Sequence, residues 1–224
     1  MTLDRAALTR LISGRAARGG ARRAWRTAAG LAALTTFVTS LASCTVGQTA
    51  GVSPAYLIIE QLGGASGAAP GTFGGSLESD VLTNNSILQD NGQVQFRLAL
   101  KDPGSADSPT TPTSTNFITV TRYHVKYTRT DGRGTPGVDV PQPFDGAMTA
   151  TVRDAGATTA TMVLVRIQAK IEAPLAALAS LGGEVAISTI AEITFYGKDQ
   201  AGRDVSVTGY ISITFADWAD SAAS

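Results

Sequence analysis

The sequence predicts an all-β protein: an antiparallel β-sandwich of about seven to nine strands with one short helix. Three observations predict it. Several segments alternate apolar and polar residues at a period of two, the pattern of a strand with one face in a core and one in water. These segments are rich in Val, Ile, Thr, Phe and Tyr, and clusters of Gly, Pro, Ser and Asp separate them. Strands do not alternate with long amphipathic helices, which argues against a parallel sheet of βαβ units.

In chain order, residues 45–54 show no periodicity and read as a tether. Residues 56–60, Tyr-Leu-Ile-Ile-Glu, form a first strand, and the glycine-rich stretch 63–76 a loop. Residues 77–82 alternate weakly as a second strand. In 93–101, Val94, Phe96, Leu98 and Leu100 face one way, and Gln93, Gln95, Arg97 and Lys101 the other. Residues 101–115, rich in Pro, Ser, Thr and Asp, form turns. A long strand over 117–129 puts Phe117, Tyr123, Val125 and Tyr127 on one face, and Arg122, His124 and Lys126 on the other. Residues 130–146, with four glycines and three prolines, are the longest segment without structure of their own. Strand returns over 147–152, with Met148, Ala150 and Val152 on one side. Residues 161–171 put Val163, Val165, Ile167 and Ile171 inward. Helix formers after Pro174, ended by Gly182 and Gly183, give the short helix.

The final pair of strands is the clearest. In 185–196, Ile187, Ala191, Ile193 and Phe195 share a face. In 205–215, Val205, Val207, Ile211, Ile213 and Phe215 share one, opposite Ser206, Thr208, Ser212 and Thr214. The polar turn 197–203 makes the two a β-hairpin. Within it, Asp199-Gln200-Ala201-Gly202 resembles the Asp-x-x-Gly turn that joins the closing strands of bacterial immunoglobulin-like domains. The resemblance covers about 30 residues and implies an immunoglobulin-like sandwich. Such domains usually run to ~100 residues, so residues 55–216 must also hold long loops or added strands.

Residues 1–26 carry seven arginines against one acid, Asp4. Sixteen apolar and small residues follow at 28–43, and then the only cysteine, Cys44. A basic segment, a short apolar run and small residues at its end make a secretory signal. The run is too short for a spanning helix, which needs about 20 apolar residues. Leu41-Ala42-Ser43-Cys44 resembles the lipobox of bacterial lipoproteins. The resemblance implies removal of residues 1–43, a diacylglyceryl group on Cys44 and acylation of the new N-terminus. Two acyl chains hold a protein on a membrane where one does not. Thr45 stands where an aspartate would, by the same resemblance, favour inner-membrane retention. The expected address is the cell envelope, and the outer membrane where the organism has one. The chain thus divides into a signal peptide (1–43), a lipidated cysteine and tether (44–54), one sandwich domain (55–216) and a polar tail (217–224).

From Cys44 onward, 11 basic residues face 17 acidic ones, a net charge of about −6 that argues against nucleic-acid binding. No Walker loop and no dinucleotide fingerprint is present, so no nucleotide is expected, and no cofactor beyond the lipid on Cys44. With Cys44 lipidated, the core alone must hold the domain. The single histidine, His124, has cationic neighbours and no Gly-x-Ser-x-Gly turn, and reads as a solvated strand residue. One histidine and no free thiol leave zinc and copper short of ligands, so no metal is expected. The pairs Glu78/Asp80 and Asp199/Asp204 read as solvated acids.

The best site candidate is the loop 130–146, as a partner-binding loop. Asp131, Arg133, Asp139, Phe144 and Asp145 combine mixed charge and an aromatic on a proline-stiffened segment. Tyr196 and Tyr210 on the last hairpin read as a cross-strand pair. The expected function is a non-catalytic, lipid-anchored envelope module that binds a protein or glycan partner or helps assemble a surface complex. The alternatives are an envelope glycan hydrolase, which needs two carboxylates across a cleft, and a carbohydrate-binding module, which needs exposed coplanar aromatics.

Overall fold

The computed structural model describes residues 51–153, 156–179 and 181–218. The expected signal peptide (1–43), Cys44, residues 45–50 of the expected tether and the last six residues lie outside them. Two sheets face each other across one core. The first is ordered β1 (Ala55–Ala65), β3 (Asp90–Leu100), β8 (Thr158–Val165). The second is ordered β2 (Ser76–Asp80), β10 (Asp204–Ala216), β9 (Ile187–Asp199), β6 (Ile118–Arg129), β7 (Phe144–Val152). All neighbours are antiparallel except β2, which runs parallel to β10. A small ribbon, β4 (Gly104–Ser105) with β5 (Ser108–Pro109), interrupts the connection from β3 to β6. In immunoglobulin lettering, β1-β3-β8 follows A-B-E and β10-β9-β6-β7 follows G-F-C-C′. The sandwich expected from the sequence is therefore present, with eight strands in its two sheets.

The strands with the purest alternation form as read. Val94, Phe96 and Leu98 of β3 are buried, as are Ile187, Ala191, Ile193 and Phe195 of β9 and Ile211, Ile213 and Phe215 of β10. The hairpin pairs from Ile187↔Phe215 to Lys198↔Asp204. Its turn is closed by Asp199, whose Oδ1 accepts the amides of Ala201 at 3.0 Å and Arg203 at 2.9 Å. Gly202 takes φ +84°, a left-handed conformation that favours glycine.

Three elements differ from expectation. In β6 the register slips between Val120 and Arg122. This bulge switches parity, so Ile118 and Val120 are buried before it and Tyr123, Val125 and Tyr127 after it. Phe117, expected inward by strict alternation, precedes the strand and is only half-buried. β8 ends at Val165 and buries Met162, Leu164 and Val165; Val165 is inward as expected, whereas Val163 is only half-buried. Helix α1 (Ile167–Ile171) follows and turns Ile167 and Ile171 to solvent, because Ala169 and Lys170 occupy its inward face. The helix expected after Pro174 is a 3-10 turn, Leu175–Leu178, that buries Leu175 and Leu178.

β8 lies at a sheet edge, where backbone groups need partners. Two tyrosines of β6 supply them from across the core. The Tyr127 hydroxyl donates to the Leu164 carbonyl at 2.6 Å, and the Tyr123 hydroxyl accepts the Val163 amide at 3.1 Å. Tyr127→Phe leaves a buried carbonyl without this donor and should cost about 1–2 kcal/mol, read as a lower urea midpoint. Tyr123 passes over Gly146, where an added Cβ would overlap its ring. Gly146→Ala must displace that ring and should cost about 1–3 kcal/mol in the same assay.

The two ends of the sandwich differ. A Cβ on Gly51 would lie 3.4 Å from Arg203 Nε, and Pro54 accepts the Lys101 amide at 2.9 Å. Ser53 is buried, so the last residues of the expected tether belong to the fold. The chain therefore enters at the end that carries the hairpin turn 200–203. Residues 66–75, 81–89, 130–143 and 166–186 connect strands at the opposite end. Trp218, expected in the polar tail, also lies there, its amide bonded to Asp80 Oδ1 at 3.0 Å.

Candidate functional site

The loop-rich end brings three of the five predicted site residues together. Gly132, at φ +87°, lets the chain turn back after β6, and the Arg129 amide bonds the Arg133 carbonyl at 2.8 Å. Asp131 then accepts Arg133 through Nε at 2.9 Å, through the terminal NH2 at 2.7 Å and through the backbone amide at 3.1 Å. Arg129 Nε approaches the same carboxylate at 3.3 Å. Hydrogen bonding to Arg133 holds the Asp131 carboxyl below its ordinary range and raises Arg133. Asp139 lies 3.9 Å from Arg133 and caps the Thr135 amide at 3.2 Å. Val140 is buried and pins the loop, while Val138 at its tip is 68% exposed. The result is an ordered, mixed-charge surface with one apolar residue projecting from it.

Phe144 and Asp145 do not belong to this surface. Both lie on β7, which begins three residues earlier than expected. Phe144 is buried, edge-on to Tyr123 at 6.2 Å and with the Arg166 guanidinium 4.3 Å from its ring centre, so its ring is closed to a partner. Asp145 is on the outer face of the sheet, 3.3 Å from His124 Nδ1 and 3.5 Å from Arg122. His124 thus has an acid beside it, but among the described residues no serine or threonine hydroxyl bonds it. Arg122 also stacks on Tyr196 at 4.3 Å. The hairpin register sets Tyr196 opposite Ser206 and Tyr210 opposite Glu192, so these tyrosines are not the cross-strand pair expected of them.

A groove of about 620 Å³ opens at the same end, lined by Ser66, Thr72, Glu78, Asp80, Asn84 and Trp218 among others. Glu78 is exposed in it. Asp80 is not a free partner for Glu78: it accepts Thr83 Oγ1 at 2.7 Å and the amides of Leu82 and Trp218 at 3.4 and 3.0 Å. The indole nitrogen of Trp218 is buried with no hydrogen-bond partner among the described residues. No three His, Cys, Asp or Glu side chains among the described residues are grouped to hold a metal.

Beneath the groove is a pair of charges that no local sequence pattern marks. Lys170 of α1 and Asp90 at the start of β3 are buried, with side chains 1% and 0% exposed. Lys170 Nζ lies 3.0 Å from each Asp90 carboxylate oxygen and donates to the Asp80 carbonyl at 2.7 Å. Ser79 Oγ and the Gly67 amide complete the carboxylate at 2.6 and 2.8 Å. Burial pushes the Asp90 carboxyl above its ordinary value, against the opposing pull of Lys170. The period-two signal could not show it, because Lys170 turns inward only to meet a carboxylate 80 residues away. No protein-family model, no curated protein and no solved structure matches this chain.

Proposed function

We propose that this protein is a lipid-anchored lipoprotein of the bacterial cell envelope whose sandwich is a non-catalytic binding module for an envelope partner. The lipobox-like Leu41-Ala42-Ser43-Cys44 supports the anchor. The observation that carries the reading is the entry of the chain opposite the loop-rich end. Cys44 precedes Gly51 by seven residues, a reach of at most about 25 Å. The 13 residues of β9 span about 40 Å from the entry end to the loops. A lipid on Cys44 therefore tethers the entry end and leaves the 130–143 loop and the groove pointing away from the membrane.

Cys44→Ser should move the protein from the membrane pellet to the soluble fraction. Retention in the pellet would remove the lipoprotein reading. A photo-crosslinking residue at Val138 should trap a partner in intact cells, and one at Asp204, exposed at the entry end, should not. Equal trapping at both positions would sink the assignment of the loop-rich end. A glycan partner is favoured by Trp218 in the polar groove. Trp218 is the only tryptophan after Cys44, so soluble envelope-glycan fragments should change the fluorescence of the processed protein saturably if they bind there.

A further inference from the structure

The chain leaves β8 at Arg166, still extended at φ −81° and ψ 152°, and the guanidinium lies over the Phe144 ring of β7 at 4.3 Å. Stacking of this kind attracts the cation through the ring face but accepts none of its in-plane N–H donors. Those donors have no partner among the described residues. Arg97, Arg122, Arg129, Arg133 and Arg203 each pair with a carboxylate, and Arg166 does not. Its Nε is buried without an acceptor, in a side chain that is only half-exposed to water. A guanidinium that gives up water and meets no acceptor is costly. An acceptor from outside the chain would offset that loss.

The space for one is beside it. A cavity of about 460 Å³ is lined by Arg166, by the apolar Ala147, Val163 and Ile167, and by the side-chain amides of Gln89 and Gln168. A second cavity of about 480 Å³ adjoins it through Ala147 and Val163. Arg166 is the only cation lining the first cavity, and Asp145 the only acid. Asp145 already faces Arg122 at 3.5 Å and His124 at 3.3 Å. One unpaired cation suits one negative charge, and a dianion would also meet Asp145. The planar fork of a guanidinium matches a carboxylate, two nitrogens to two oxygens. Ile167, 40% exposed, and Val163 offer apolar surface to whatever carries that carboxylate.

We infer that this cavity is a binding site for a monoanionic carboxylate on an apolar body, with Arg166 as the residue that takes the carboxylate. The C-terminal residue of a peptide has this chemistry, and so does a free aliphatic acid. Gln89 and Gln168 can donate to, or accept from, a peptide group next to the carboxylate. The site uses neither the 130–143 loop nor Trp218, so it stands or falls independently of both.

The test is a titration of the isotope-labelled full chain, followed at the Arg166 Nε–H resonance, which is assigned through its own side-chain carbons. N-acetyl-leucine should move this resonance saturably, with half-saturation at about 1–10 mM, the scale of a ligand of about a dozen heavy atoms. N-acetyl-leucinamide lacks the charge and should leave the resonance in place. Hexanoate separates the two sources. A midpoint equal to that of N-acetyl-leucine assigns the site to free acids as well, and a weaker one assigns it to a peptide terminus; either upholds the inference. Arg166→Lys keeps the charge but loses the fork. It should weaken N-acetyl-leucine binding by about tenfold, read at the Gly146 amide, with strand content by circular dichroism as the check on folding. Equal movement with the leucinamide, or tighter binding of inorganic phosphate than of N-acetyl-leucine, would overturn the inference. So would a resonance that no carboxylate moves, which leaves Arg166 as a cap on Phe144 only. The wild-type titrations need no variant to fold.

Discussion

Lys170→Met should lower the stability of the domain by about 3–5 kcal/mol, the usual cost of removing one partner of a buried charge pair. Methionine keeps the bulk of the side chain and removes its charge. Asp90 is then left with Ser79 and the Gly67 amide as its only donors, at 0% side-chain exposure. The Asp80 carbonyl also loses its bond from Lys170. Natural domains have only about 5–15 kcal/mol in total, so the variant should be marginal at body temperature. Replacing both residues, Lys170→Met with Asp90→Leu, should recover part of the loss by removing the stranded charge. It should not recover all of it, because the Gly67 N–H and the Ser79 hydroxyl each lose an acceptor, at about 1–3 kcal/mol apiece. Urea denaturation of the three proteins decides the matter. A loss below about 1 kcal/mol for Lys170→Met would mean that water reaches the pair and screens it.

This network also shows where sequence reading stops. β3, β9 and β10 were legible because each has a strict period of two and one buried face. The hairpin was legible down to its turn, because Asp199 and Gly202 carry chemistry local to five residues. What escaped depends on partners far along the chain. The β6 bulge moves Phe117 off the core face, and no pattern within β6 announces it. Ile167 and Ile171 look like strand residues until Lys170 is known to turn inward, and that follows from Asp90. Phe144, between Pro143 and Gly146, has the composition of a loop; Gly146 is there because the Tyr123 ring crosses it. The charged loop was recognisable as a concentration of Asp and Arg beside prolines. Only the fold shows that Asp131, Arg133 and Asp139 gather on one surface while Asp145 faces His124 on another.

Phe195→Ala should cost about 3–5 kcal/mol, by lost transfer energy and the cavity left behind. Phe195 of β9 and Phe96 of β3 are both 0% exposed and meet edge-to-face, with ring centres 4.9 Å apart at 87°. They occupy the two strands that correspond to B and F, which antibody domains join across the core with a disulfide. This chain has no cysteine for that bond, and the aromatic pair holds the corresponding strands with contact area and ring geometry instead. Phe195→Leu keeps most of the volume and should cost less than about 1.5 kcal/mol if area alone matters. A double-mutant cycle of Phe96→Leu and Phe195→Leu separates the two contributions. A coupling of about 0.5–1.5 kcal/mol would assign the ring-to-ring geometry a share of its own. A coupling near zero would reduce the pair to two independent hydrophobic side chains. The sheets would then be joined across the core mainly by total buried area, and at the loop-rich end by Lys170 and Asp90.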